Sequence, residues 1–184
     1  QQKLQPKEGV IIQIDKNDPI YVTPSTEGLI EEEVLALAAR KLAYTPTMGK
    51  VVGKHQGAHY FTVGQRKGLN VGGTTDPLFI IGTNVETNTI YTGLTSEHPG
   101  LFRSALFIEK SEVHWIRQDM KLAIGESQTY SVRTRYRQPL QKATLHQFES
   151  GMYISFEEPQ SAITEGQFAA WYLDDELVGS GVIS

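Results

Sequence analysis

Arg133, Arg135 and Arg137 stand on alternate residues of SVRTRYRQPLQKATL, residues 131–145. Successive side chains of a β-strand point to opposite faces, so a strand here would place all three guanidiniums on one face. Cations aligned in this way repel one another unless water or an anion lies between them. The planar fork of arginine suits bidentate contact with phosphate, and Lys142 follows across the next turn. Tyr130 and Tyr136 offer rings that can stack on bases or riboses. The pattern reads as a stripe that tracks phosphates. Its plain alternative is a solvated edge strand that uses charge to avoid pairing with other chains.

A second cluster lies in HYFTVGQRKGLNVGG, residues 59–73. Gly64, Gly68, Gly72 and Gly73 surround Arg66 and Lys67. Glycine allows positive φ and close backbone approach, and two adjacent cations beside exposed amides suit an anion such as phosphate. A loop with solvated charges fits the same residues equally well.

Signals for catalysis or metal binding are weak. His55 and His59 are four apart, the spacing of two ligands on one helical face, but Gly53 and Gly57 interrupt the stretch and its neighbours read as strands. The acid pairs Glu157–Glu158 and Asp174–Asp175 fall in expected turns and read as solvated. There is no G-x-S-x-G, no GxxxxGK[ST] phosphate loop and no GxGxxG. No catalytic, cofactor-binding or metal-ligating residue is assigned.

The elements that must position these residues are mostly strands. EGVIIQI reads as a strand followed by the turn DKNDP. A helix is expected over about 29–44, with Ile30, Val34, Leu37, Ala38 and Leu42 on its apolar face, Glu31–Glu33 in its first turn and Pro46 beyond its end. Past residue 49 short runs rich in Val, Ile, Tyr, Phe and Thr alternate with turn residues, AHYFTV among them. Hairpins are expected around Asn88 and at Ser150–Gly151. The fold class is mainly β: a small β-rich domain over 1–98 containing the helix, then an antiparallel β-barrel over 99–184.

Composition sets the remaining bounds. The 184 residues carry a net charge of −4, which argues against a protein that coats nucleic acid indiscriminately. Charge is uneven, however. Residues 15–33 hold six acids and one Lys, whereas residues 121–142 hold five bases and one Glu. Cysteine is absent, which removes disulfides and thiolate chemistry. No apolar run approaches the roughly 20 residues that span a bilayer, and no secretory leader is visible, so a cytoplasmic location without membrane contact is expected. The chain opens QQKLQPKEG rather than with Met, and is expected to be a piece of something longer.

Three motifs in order, GKVVGKHQGAHYFTVGQRKGL, VRTRYRQPLQKATL and AITEGQFAAWYLDDELVGSGVI, resemble the C-terminal half of bacterial tRNA-specific 2-thiouridylases. EGVIIQI also fits the segment that precedes the first motif, while residues 19–48 look like an insertion. The resemblance implies a parent enzyme that adenylates the wobble uridine of certain tRNAs with ATP and Mg, then replaces the 2-oxygen with sulfur. That chemistry would belong to an N-terminal catalytic domain with an SGGxDS loop and two cysteines, neither found here. This chain would hold tRNA and use no cofactor of its own, and the full enzyme would receive sulfur from a carrier protein. The older methyltransferase name of the family finds no matching cofactor loop here.

The contacts with tRNA that the resemblance implies are Arg135 and Tyr136 of TRYRQ and Gln167 of TEGQF; Arg133, Arg137, Arg66 and Lys67 are added on charge. Arg135 and Tyr136 are neighbours, so on a regular strand they would face opposite sides; either the strand ends or bulges there, or one of them contacts RNA only through its backbone. Glu165 stands where the family commonly has Pro. Two rival readings are a module docking on a protein partner or on the missing domain, and a self-contained hydrolase or transferase.

Overall fold

The structure is a computed structural model that describes residues 7–184. Two compact units divide the chain. The first runs up to Thr23 and resumes over Leu42–Phe102; the second joins Pro24–Lys41 to Arg103–Ser184.

In the first unit, β1 (Gly9–Ile14) pairs antiparallel with β2 (Gly49–His55), and β3 (Leu78–Asn84) forms a hairpin with β4 (Thr89–Leu94). β1 and β4 run parallel, giving the order β2-β1-β4-β3. The run VIIQI explains why β1 is central. Ile11 packs with Leu69, Leu78, Ile80 and Ile90, while Ile12 and Ile14 pack with Ile81, Tyr91 and Leu101. A strand apolar at successive positions is a strand covered on both faces. The β3–β4 hairpin turns at Asn88, which takes positive φ (51°).

AHYFTV, expected as a strand, forms a short 3-10 turn at Ala58–Tyr60 followed by a loop. Gly57 begins that turn at φ 141°, a conformation that stops β2 from continuing.

The second unit is a seven-stranded antiparallel sheet curled into a half-barrel. Its strands are β5 (Phe102–Glu109), β6 (Val113–Trp115), β7 (Ser127–Arg133), β8 (Gln141–Gln147), β9 (Gly151–Ser161), β10 (Phe168–Leu173) and β11 (Glu176–Val182). Their spatial order is β5-β9-β8-β7-β10-β11-β6. Alternation sets the inner face: Ala143 and Leu145 of β8, Val132 of β7, and Ala169 and Trp171 of β10 are buried, and the ring of Trp171 meets that of Trp115 edge-on at 5.3 Å. The expected β8–β9 hairpin turns at Ser150–Gly151, with Phe148 N–H donating to Gly151 C=O (2.8 Å). Glu157 and Glu158, expected in a turn, lie exposed within β9, which continues past them to Ser161.

The helix is shorter than expected and belongs with the second unit. α1 (Glu31–Ala39) buries Leu35, a residue outside the expected stripe, and packs on β9. Ile30 N–H donates to Glu33 Oε2 (3.0 Å), closing its N-terminus, and the Ser150 hydroxyl donates to Glu32 Oε1 (2.6 Å). The backbone turns extended at Arg40 (ψ 137°). Tyr44 beyond it packs in the first unit against Tyr91, with ring centroids 5.4 Å apart. That packing takes precedence over the helical propensity of residues 40–44. Among the described residues no helix is long and apolar enough to cross a membrane.

Two histidines of the first unit are built in the same way. Nδ1 of His98 accepts from Gly100 N–H (3.2 Å) and Nε2 donates to Ile14 C=O (3.3 Å). Nδ1 of His55 accepts from Gly57 N–H (3.0 Å) and Nε2 donates to Asn88 C=O (3.1 Å). The His98 ring lies against Gly93, where any Cβ would collide with it. Burial lowers both histidines below their ordinary value of 6.5, against the smaller raising effect of the backbone carbonyls. Protonation must force a proton onto an Nδ1 that faces an N–H donor. The unfolded chain binds that proton first, so the stabilising contribution is complete above pH 6.5 and is lost as pH falls through the depressed folded values. The thermal midpoint of the first unit should therefore drop as pH is lowered from 7 to about 5, and His98→Asn should flatten part of that slope. A midpoint independent of pH over this range would contradict the assignment.

Candidate functional site

β7 ends at Arg133, so the three arginines do not share a strand face. Arg135, Tyr136 and Arg137 lie in a turn. The cause is local. Gln138 Oε1 accepts from both the backbone N–H (3.2 Å) and the hydroxyl (3.0 Å) of buried Thr134, and Gln138 N–H donates to Arg135 C=O (3.1 Å). Pro139 then has no N–H for a ladder. Gln138 Nε2 also donates to Gln160 Oε1 (2.8 Å), anchoring the turn to β9. A strand end at this point removes the constraint that put Arg135 and Tyr136 on opposite faces.

Arg133 braces this turn. Its Nη2 donates to the Tyr172 hydroxyl (2.8 Å) and its Nη1 to Tyr136 C=O (3.3 Å). Its guanidinium lies 4.9 Å from the Tyr172 ring centroid and 5.7 Å from that of Tyr136. The expected stripe loses other members as well. Lys142 pairs with Glu157 at 2.6 Å, and Tyr130 is buried beside Trp115 and cannot stack on a ligand. Arg135, Tyr136 and Arg137 are exposed, Tyr136 at 86%.

Gln167 sits on the loop between β9 and β10, which three side chains hold. Arg135 Nη2 donates to Ala162 C=O (2.8 Å), joining this loop to the arginine turn. Arg103 bridges Ile163 C=O (Nη2, 2.9 Å) and Ala39 C=O at the end of α1 (Nη1, 3.4 Å). Lys41 pairs with Glu165 at 2.8 Å. Gly166 takes φ 79° and donates to Ile183 C=O (2.9 Å), and Ile183 N–H donates to Gln167 C=O (2.8 Å). Glu165, where the resembling family commonly has Pro, thus sits in a closed turn and has its own partner. Gln167 Oε1 is shielded from solvent and has no partner among the described residues. The sequence reading named Arg133, Arg135, Tyr136 and Gln167 but missed Tyr172 and Arg103. The β10 alternation, with Tyr172 facing out opposite Ser131 of β7, is the signal that could have found the first.

Arg66 and Lys67 are exposed on a loop of the first unit. Gly64 N–H donates to Ile80 C=O (2.8 Å), and Gln65 spans the loop by accepting from Thr62 N–H (3.2 Å) and donating to Lys67 C=O (2.8 Å). The loop leads toward β3 and not into a helix N-terminus, so it does not fit a nucleotide triphosphate. Among the described residues no group of three or more His, Cys, Asp or Glu side chains could hold a metal ion.

Two of the three supports of the Gln167 loop differ in worth. Arg103 makes part-buried bonds to two carbonyls, whereas Lys41 and Glu165 form an exposed pair. Arg103→Ala should lower the stability of the second unit by about 2 kcal/mol, and Lys41→Ala by less than about 1 kcal/mol, measured by urea denaturation. Equal losses would contradict this ordering.

Two family models match the chain. One, described as an aminomethyltransferase beta-barrel domain, covers residues 107–183; the other, a tRNA methyl transferase PRC-barrel domain, covers residues 34–94. Among curated relatives, the tRNA-specific 2-thiouridylase MnmA of Flavobacterium johnsoniae is 73% identical over all 184 residues, which make up 47% of that protein. The enzyme of the same name from Christiangramia forsetii is 54% identical over the same span and share. That of Halalkalibacterium halodurans is 41% identical over 136 residues, 73% of this chain and 35% of the relative. The chain spans about half the length of the first two. Aligned with them from end to end and matched by both barrel models, the chain belongs to the family of tRNA-specific 2-thiouridylases.

Proposed function

We propose that this chain holds tRNA for a sulfur transfer to the wobble uridine that is carried out elsewhere in a longer protein. Arg135 and Arg137 contact phosphates, Tyr136 and Gln167 complete the contact, and Arg133 fixes the turn from beneath. Arg66 and Lys67 supply a separate, weaker phosphate contact in the first unit. ATP with Mg and the reactive cysteines belong to an N-terminal catalytic domain of the parent, and sulfur arrives on a carrier protein. The place of work is the cytoplasm.

The observation that supports this reading is the turn at 134–138. It presents two exposed arginines and an exposed tyrosine on a frame of side-chain hydrogen bonds. A cationic group fixed in place before binding loses less entropy on meeting a phosphate than one on a free loop. Phosphate contacts set the register of an RNA without reading its sequence, a role that fits an element distant from the chemistry.

Fluorescence anisotropy of labelled tRNA with the 184-residue chain at several salt concentrations tests the reading. Arg135→Ala should weaken binding about five- to tenfold and reduce the salt slope by about one. Gln167→Ala should weaken binding with little change in slope. Variants that bind as the parent chain does would overturn the proposal in favour of a face that docks on protein.

A further inference from the structure

Phe168 is 64% exposed on the outer face of β10, immediately after Gln167. β10 alternates strictly: Ala169 and Trp171 point into the core, while Phe168, Ala170 and Tyr172 point outward. Most of the Phe168 ring lies in water, and among the described residues it makes no ring or cation contact. Phe168 lies opposite Val182 of β11. Ala170 lies opposite Arg133 of β7 and Ser180 of β11, and Tyr172 opposite Ser131 of β7.

Residues 131–141 contain three arginines and no acid. Glu157 and Glu165 are paired with Lys142 and Lys41; Asp174 and Asp175 lie in the β10–β11 turn at the far end of β10, and Glu176, which opens β11, is paired with Arg117. The Arg135 bond to Ala162 C=O draws the arginine turn against the loop that leads into Phe168. Two exposed rings, Tyr136 and Phe168, thus stand at the same end of the sheet as the cations, with a floor of Ala and Ser beside them.

We propose that this outer face of β7, β10 and β11 is a stacking platform for an unpaired nucleotide of RNA, with Phe168 as the residue on which the base lies. The inference rests on the tRNA reading above and adds which part of an RNA the site accepts. A duplex stem offers phosphates but keeps its base faces inside the stack, so it satisfies the arginines and leaves Phe168 wet. An unpaired loop or end offers both a phosphate and a π-face. Ala170 between Phe168 and Tyr172, with Ser180 beside it on β11, leaves room for a base or ribose to approach the strand.

The test uses the 184-residue chain and a short unpaired oligoribonucleotide carrying a fluorescent purine whose emission is quenched on stacking, with an RNA duplex of the same length alongside. Phe168 is exposed, so Phe168→Ala should leave the thermal midpoint unchanged. It should weaken oligonucleotide binding about tenfold and abolish the quench, whereas Phe168→Trp should restore both. Duplex binding should not change in either variant. If Phe168→Ala binds and quenches like the parent while Arg135→Ala loses affinity, the platform is overturned and the tRNA reading stands. If neither substitution affects affinity, or the parent chain binds no RNA, both fall.

Discussion

The guanidinium of Arg133 is the joint on which the arrangement of the second unit's surface depends. It closes the end of β7 by stacking over Tyr172 of β10 and by bonding both the Tyr172 hydroxyl and the Tyr136 carbonyl. With that guanidinium held by π-faces and neutral acceptors, the chain leaves the sheet at Thr134 and carries Arg135, Tyr136 and Arg137 outward. Arg135 then reaches the Gln167 loop through Ala162 C=O. A continuous strand through 137 would have presented three repelling cations in a row; the turn separates them and gives each a distinct position.

The same loop is tied on its other side to the segment that precedes the barrel in sequence. Arg103 bonds both Ile163 and the end of α1, while Glu31 and Glu32 of α1 lie beside His146 and Ser150. Residues 24–41, part of the stretch 19–48 that read as an insertion, therefore reinforce the loop that carries Gln167. Exposed pairs such as Lys41–Glu165 add little by themselves, and the part-buried arginine provides most of the restraint. The rest of the surface is built on the alternation of β10, whose buried Trp171 fixes which side Phe168 and Tyr172 must face.

Much of the fold was legible because period-two alternation is a local signal. β1, the hairpins at Asn88 and Gly151, and the mainly β class follow from it directly. The departures have non-local causes. AHYFTV carries strand formers, but the φ of Gly57 turns the chain before they can pair. The helix over 29–44 stops at Arg40 because Tyr44 is needed in another core, a fact no window around residue 40 contains. The alternating arginines looked like a strand because their spacing fits one; the Thr134–Gln138 bonds that end it join residues whose types are common in strands and turns alike. Glu157 and Glu158 looked like turn residues, yet they lie in a stretch of a long strand that is exposed on both faces. At the site, Arg135, Tyr136 and Gln167 came from motif resemblance, whereas Arg103 and Tyr172 act through contacts 39 to 64 residues away in sequence and leave no local mark.

The central claim, that the turn at 134–138 and the loop at 162–168 form one face that holds tRNA, is tested most directly by amide chemical-shift mapping of the 184-residue chain during titration with tRNA. The account predicts shifts concentrated in 133–138 and 162–168, reaching across the outer positions of β10. Shifts confined to other surfaces, or none at saturating tRNA, would contradict it.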